Sequence, residues 1–163
     1  MNHPTWSNPP FPTPIDSPLS DGLAYLHAVE ESEVFRGEVY RYTRLYYVCD
    51  ETGESFTNTA LENSNVEQVY GPYRKRYGLP APAELAAFRA RYELSAALLG
   101  KLLGFGANQW ARYEAGEVPN RSCGLLLRLA VRDKNAWYSL LEAGETMFHA
   151  QPRLYAKLLA KAA

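Results

Sequence analysis

Residues 94–116 run LSAALLGKLLGFGANQWARYEAG, two helix-forming segments on either side of Gly104-Phe105-Gly106. Ser95 stands where a side-chain cap for the first segment belongs. Gly104 takes a positive φ without steric cost and so ends that helix. Gly100, one turn earlier, leaves room for a second helix to cross at close range. Beyond the turn, Trp110 and Tyr113 lie three apart and face inward, toward Leu99 and Leu103. Asn108, Gln109 and Arg112 then fall on the outer face, with Asn108 and Arg112 adjacent at a spacing of four. Counted from Ala96, a small residue at the fifth position, glycine at the ninth and apolar residues at the fourth, eighth, fifteenth and eighteenth give the helix-turn-helix spacing. Such a motif works by projecting its second helix so that the exposed face enters a major groove. There asparagine reads an adenine edge and arginine a guanine edge. The competing reading is an ordinary αα-hairpin with a solvated polar face.

Outward from this motif the texture stays helical on the C-terminal side. Helices are expected at 82–91, 95–103, 108–115, 121–132, 135–143 and 152–162, joined by the short connections of an all-α bundle. Leu154, Leu158 and Leu159 share one face of the last. Toward the N-terminus, residues 61–77 are polar and helix-like, interrupted by Gly71-Pro72, which is expected to start a new helix or kink one. Gly78-Leu79-Pro80-Ala81-Pro82 reads as a hinge. Residues 33–49 (EVFRGEVYRYTRLYYVC) are dense in Val, Tyr, Phe and Thr, and Gly37 marks a turn between two strands. A tight turn at 50–54 and a short strand at 55–57 complete a small meander, with Tyr42, Tyr46, Val48 and Phe56 as its expected core. Residues 21–31 read as a short helix. Residues 1–20, with Pro4, Pro9, Pro10, Pro12, Pro14 and Pro18 and little to bury, read as a disordered arm. The fold class is therefore mainly α with a small β part. Its expected divisions are a proline-rich arm (1–20), a β meander with a linker helix that binds a partner (21–78), a helix-turn-helix DNA-binding domain (79–144) and a C-terminal helix (145–163).

The formal net charge of −1 hides an asymmetry. Residues 1–71 carry three arginines against eleven acids, a charge of −8, whereas residues 72–163 carry fourteen Lys and Arg against seven acids, a charge of +7. A basic half attracts phosphate; an acidic half repels nucleic acid and suits a protein partner. No apolar run approaches the ~20 residues of a membrane span. The first residues show no secretory signal pattern, so a cytoplasmic protein without a membrane partner is expected. Cys49 and Cys123 make neither a disulfide framework nor a four-thiolate zinc site. His3, His27 and His149 show no metal-ligand or catalytic spacing, and no phosphate loop or dinucleotide fingerprint occurs. Neither a cofactor nor enzymatic activity is expected.

Arg112-Tyr113-Glu114-Ala115-Gly116 resembles the end of the recognition helix of Xre/Cro-type (lambda-repressor-like) DNA-binding domains. Upstream, Tyr47-Val48-Cys49-Asp50-Glu51-Thr52-Gly53-Glu54-Ser55-Phe56 resembles the second zinc knuckle of MqsA-type (YgiT-type) antitoxins. The stretch from Val69-Tyr70 through Tyr73-Arg74-Lys75-Arg76-Tyr77-Gly78-Leu79 is similar to their linker helix. The resemblance covers about residues 34–143. It implies an antitoxin that binds a toxin through its N-terminal part, dimerises, and represses its own operon through its C-terminal part. The base-reading Asn and Arg of that family fall on Asn108 and Arg112, with Gln109 as a third contact. Lys101 and Arg121 are the expected phosphate contacts, because Ala96 stands where the family carries a phosphate-binding glutamine. The zinc site is not retained: Thr52 replaces the partner of Cys49, and residues 1–48 contain no cysteine.

The expected function is thus antitoxin and autorepressor, with operator DNA, a cognate toxin and a second copy of the chain as partners. The dimer seam is expected near Trp137, Leu140 and Leu141 or on the last helix. The alternatives are a stand-alone Xre-family regulator and a protein-interaction module that reads no DNA.

Overall fold

Four strands, β1 (Ile15–Asp16), β2 (Leu23–Phe35), β3 (Glu38–Cys49) and β4 (Ser55–Phe56), form one antiparallel sheet in the order β1-β2-β3-β4. The computed structural model describes Pro4 and residues 6–163, so His3 lies outside the described residues. Seven helices follow: α1 (Thr59–Tyr77), α2 (Pro82–Tyr92), α3 (Ala96–Leu102), α4 (Gln109–Glu114), α5 (Arg121–Arg132), α6 (Lys134–Ala143) and α7 (Pro152–Ala162). The chain divides into two compact units, Met1–Pro72 and Tyr73–Ala163. Among the described residues no helix is long and apolar enough to cross a membrane.

The first unit is organised by the β2–β3 hairpin, in register from Ala24↔Cys49 to Phe35↔Glu38. Its turn residues Arg36 and Gly37 have φ of 52° and 84°. Two positive values in succession are what a two-residue turn needs to follow the strand twist. β2 replaces the helix expected at 21–31. That segment holds Ala, Leu and Glu, which favour helices locally, yet Ala24 and Leu26 alternate with more exposed neighbours and bury at period two. Pairing with β3, more than ten residues away in sequence, overrides the local preference. The core face is also one residue out of phase with the expectation. Ala24, Leu26, Leu45 and Tyr47 are buried with Leu61 of α1, and Phe56 packs against them. Tyr42, Tyr46 and Val48 lie only half-buried on the other face. A shift of one residue exchanges the two faces of a strand, and the doublet Tyr46-Tyr47 does not say which is which.

Residues 6–20 are not a disordered arm. β1 pairs with β2 at Ile15↔Ala24. The Trp6 indole N–H donates to the Leu26 carbonyl (3.1 Å), the Leu26 amide donates to Thr13 Oγ1 (3.0 Å), and the Tyr47 hydroxyl donates to the Pro12 carbonyl (2.7 Å). Prolines lack the amide donor that a ladder needs, so the segment is held by its few apolar side chains and by side-chain bonds instead. Trp6, Phe11 and Ile15 pack on the sheet core.

α1 closes the far edge of the sheet. The Asn65 amide accepts from the Leu45 N–H and donates to the Leu45 carbonyl, both at 2.9 Å. Gln68 does the same at Thr43, at 3.0 and 2.9 Å. The opposite edge is different. Beyond Leu26, the outward backbone groups of β2 at Ala28, Glu30, Ser32 and Val34 meet no strand or side chain among the described residues. Gly71-Pro72 starts no new helix: α1 continues to Tyr77 with Pro72 inside it. The division between units therefore falls within this helix, not at the expected hinge after residue 78.

The second unit is all helical around Leu85, Phe88, Leu99, Trp110, Leu127, Trp137, Leu141 and Leu158. The helices expected at 121–132 and 152–162 form at those bounds, and the rest within one or two residues. Residues 145–163 are not a separate element. A 3₁₀ turn (Glu145–Phe148) and α7 bring Phe148, Leu158 and Ala162 into the same core. Glu93 ties α7 down through ion pairs to Lys157 (2.8 Å) and Lys161 (3.4 Å). Of the residues near the expected dimer seam, Trp137 and Leu141 are 1% and 0% exposed, consumed by the fold of one chain, while Leu140, Leu154 and Leu159 are half-buried.

Candidate nucleic-acid interface

The elements around residues 94–116 assemble as local chemistry dictates. Ser95 Oγ accepts from the Leu98 amide at 3.1 Å and starts α3. Gly104 (φ 73°) stops it, with the Phe105 amide returning to the Gly100 carbonyl at 2.8 Å. A Cβ on Gly100 would run into the Gly106 carbonyl oxygen, so the close approach here is to the turn backbone, not to the second helix as expected. α4 is only six residues long and draws its orientation from its buried side. Trp110 is fully buried beside Phe88, and Tyr113 meets the edge of Phe105. The Trp110 indole N–H and Arg89 Nε both reach Glu114 Oε1 at 2.7 Å, which fastens α4 to α2. Burial, together with the adjacent Cys123 thiol, pushes the Tyr113 hydroxyl up to about 12.

The opposite side of α4 presents the three expected residues. Asn108 is exposed at the helix N-cap, and its side chain makes no capping bond. Arg112 is exposed and Gln109 half-buried. A fourth residue joins them. Gly116 (φ 108°) reverses the chain, the Glu117 amide bonds the Arg112 carbonyl at 3.0 Å, and the Glu117 side chain comes back alongside α4. Its Oε1 accepts from Gln109 Nε2 at 2.6 Å, and its Oε2 lies 2.6 Å from Arg112 Nε. The sequence reading missed Glu117 because it lies past the end of the helix. The positive-φ glycine after α4 was the available signal.

A cleft of about 700 Å³ in the same unit is lined by Lys75, Arg76, Arg121 and Arg128 together with Tyr73, Tyr77 and Leu125. The buried Arg74 holds its wall in place by donating to the Gly116 carbonyl at 2.6 Å. Asn120 caps α5 through the Cys123 amide at 2.8 Å and thereby sets Arg121 at the helix start. None of the ion pairs among the described residues engages Lys75, Arg121 or Arg128. Arg121 thus stands where several cations converge, whereas Lys101 does not. Lys101 lines a separate groove with Glu93 and Leu154. Lys75, Arg76 and Arg128 escaped the sequence reading because two elements distant in the chain bring them together.

In the first unit, Cys49 sits in the buried end of β3. The hydroxyls of Ser17, Ser20 and Thr52 and the Thr52 backbone surround its sulfur and pull the thiol down to about 6. Ser20 Oγ lies 3.2 Å from Sγ. One thiol among neutral hydroxyls does not fit zinc, which takes thiolate, imidazole or carboxylate ligands. No group of three or more His, Cys, Asp or Glu able to hold a metal occurs among the described residues. No protein-family model matches the chain, and no curated protein matches it.

Proposed function

We propose that the chain is a DNA-binding autorepressor and antitoxin, a binding protein with no catalytic role. α3 and α4 act as a helix-turn-helix of the Xre/Cro type. The observation that carries this reading is the two-sidedness of α4. Trp110 and Tyr113 are consumed by the core, while Asn108, Gln109 and Arg112 occupy the outward face. Side chains of those types at that spacing suit base edges in a major groove. The cations of Lys75, Arg76, Arg121 and Arg128, gathered in one cleft, suit backbone phosphates, which position a protein on the duplex without reading sequence. Two copies pair so that two recognition helices meet half-sites about one helical turn apart. Because Trp137 and Leu141 are buried, the seam uses other apolar surface; Leu125, Leu129 and Met147 are exposed.

The toxin-binding role belongs to the sheet unit, whose charge of −8 over residues 1–71 suits a basic partner. The open outer edge of β2 from Ala28 to Val34 supplies backbone donors and acceptors for it. The test is selection of duplexes from a randomised library by the purified protein. Enrichment of one sequence motif supports the reading, and recovery of unselected DNA, or none, overturns it. Co-expression with the adjacent reading frame tests the toxin role: rescued growth with co-purification supports it, and continued arrest with no complex contradicts it.

A further inference from the structure

Resting on the DNA reading above, we infer that Glu117 is the positioning residue of the reading face. It aims Arg112 at a guanine and leaves the Gln109 carbonyl to accept from the amino group of the adjoining base pair. A guanidinium presents five N–H groups in a fixed plane. The Glu117 carboxylate meets that plane at Nε, at 2.6 Å. No hydrogen bond among the described residues engages the two terminal nitrogens, and the Arg112 side chain remains 65% exposed. Those terminal nitrogens are the pair that match guanine O6 and N7 end-on. An arginine already held in one arrangement loses less rotamer freedom on contact than a free one.

Gln109 is constrained by the same carboxylate. A carboxylate only accepts, so the amide nitrogen of Gln109 must be the atom that faces it. That bond turns Nε2 toward Glu117 and leaves Oε1 as the acceptor that Gln109 offers. An acceptor in the major groove selects an exocyclic amino group, on adenine N6 or cytosine N4. The negative charge of Glu117 has a second effect: it repels phosphate on any duplex, so only a sequence offering the matching guanine compensates for it.

The experiment uses the full chain and a duplex that the wild type recovers from a randomised library. Each guanine of the half-site is replaced in turn by 7-deazaguanine, which lacks the N7 acceptor. Wild type should lose about tenfold in affinity at one guanine, within the range of a bidentate contact. Arg112→Ala should be indifferent to that replacement, which identifies the base. Glu117→Ala should bind the modified and unmodified duplexes within about twofold of each other, and bind scrambled duplex as well as or better than wild type. Glu117→Gln, which keeps the shape and removes the charge, should show the same loss of discrimination in a chain with wild-type circular dichroism. Full retention of wild-type discrimination by both variants overturns the role of Glu117 while the DNA reading stands. A wild type that enriches no sequence overturns the DNA reading itself, and the inference with it.

Discussion

Gly100 shows how one residue sets the reach of a motif. Its missing Cβ is replaced in space by the Gly106 carbonyl oxygen, so Gly100→Ala has to push the turn away from α3. The expected loss is about 1–3 kcal/mol, the usual range for overpacking, and thermal or urea unfolding measures it. An unchanged midpoint would show that the turn can yield freely. Cys49 makes a pH-dependent contribution. Its folded value, about 6, lies below the ordinary thiol value of 9.0 because the Ser17, Ser20 and Thr52 hydroxyls favour the thiolate. A depressed folded pKa contributes stability in full above the unfolded value, and that contribution is lost as pH falls through about 6. Wild type should therefore gain denaturant resistance between about pH 6 and about pH 9 relative to Cys49→Ser. Parallel profiles for the two proteins would remove the thiolate from the account.

At the scale of elements, α1 supplies two amides that stand in for a fifth strand. Asn65→Ala would leave both the N–H and the carbonyl of Leu45 buried without partners. The expected cost is about 2–6 kcal/mol, from two unsatisfied groups at about 1–3 kcal/mol each. Urea unfolding checks it, and a loss below about 0.5 kcal/mol would mean that other groups replace the amide. These contacts also mark the limit of what sequence could reveal. The helical unit was legible nearly to the residue, because its signals are local: Ser95 as a cap, Gly104 as a stop, and Trp110 and Tyr113 at helical spacing. β2 and the proline-rich segment were misread because their partners are distant. Leu26 becomes strand by pairing with Tyr47, and Trp6 is held by the Leu26 carbonyl and the sheet core. Asn108, Gln109 and Arg112 were legible as one face of a short helix. Glu117 was not, since a chain reversal brings it to that face, nor were Lys75 and Arg128, which an α1–α5 meeting gathers into one cleft.

For the whole molecule, the proposal requires pairing, because a single short recognition helix spans only a few base pairs. Light scattering at micromolar concentration should give twice the chain mass, and a monomer both free and on DNA would contradict the two-fold arrangement. The burial of Trp137 and Leu141 means that changes there should unfold the chain, whereas Leu129→Glu should leave it folded and report on pairing. The most direct test concerns α4 itself. Asn108→Ala/Arg112→Ala changes two exposed side chains and should leave thermal stability within about 0.5 kcal/mol of wild type. Fluorescence anisotropy on the duplex recovered from the randomised library then measures the operator contact. The account predicts that the folded double variant loses its preference for that duplex over scrambled DNA, with about 1–3 kcal/mol lost for each bidentate contact removed. A folded double variant with wild-type affinity and preference would contradict the claim that this helix reads DNA.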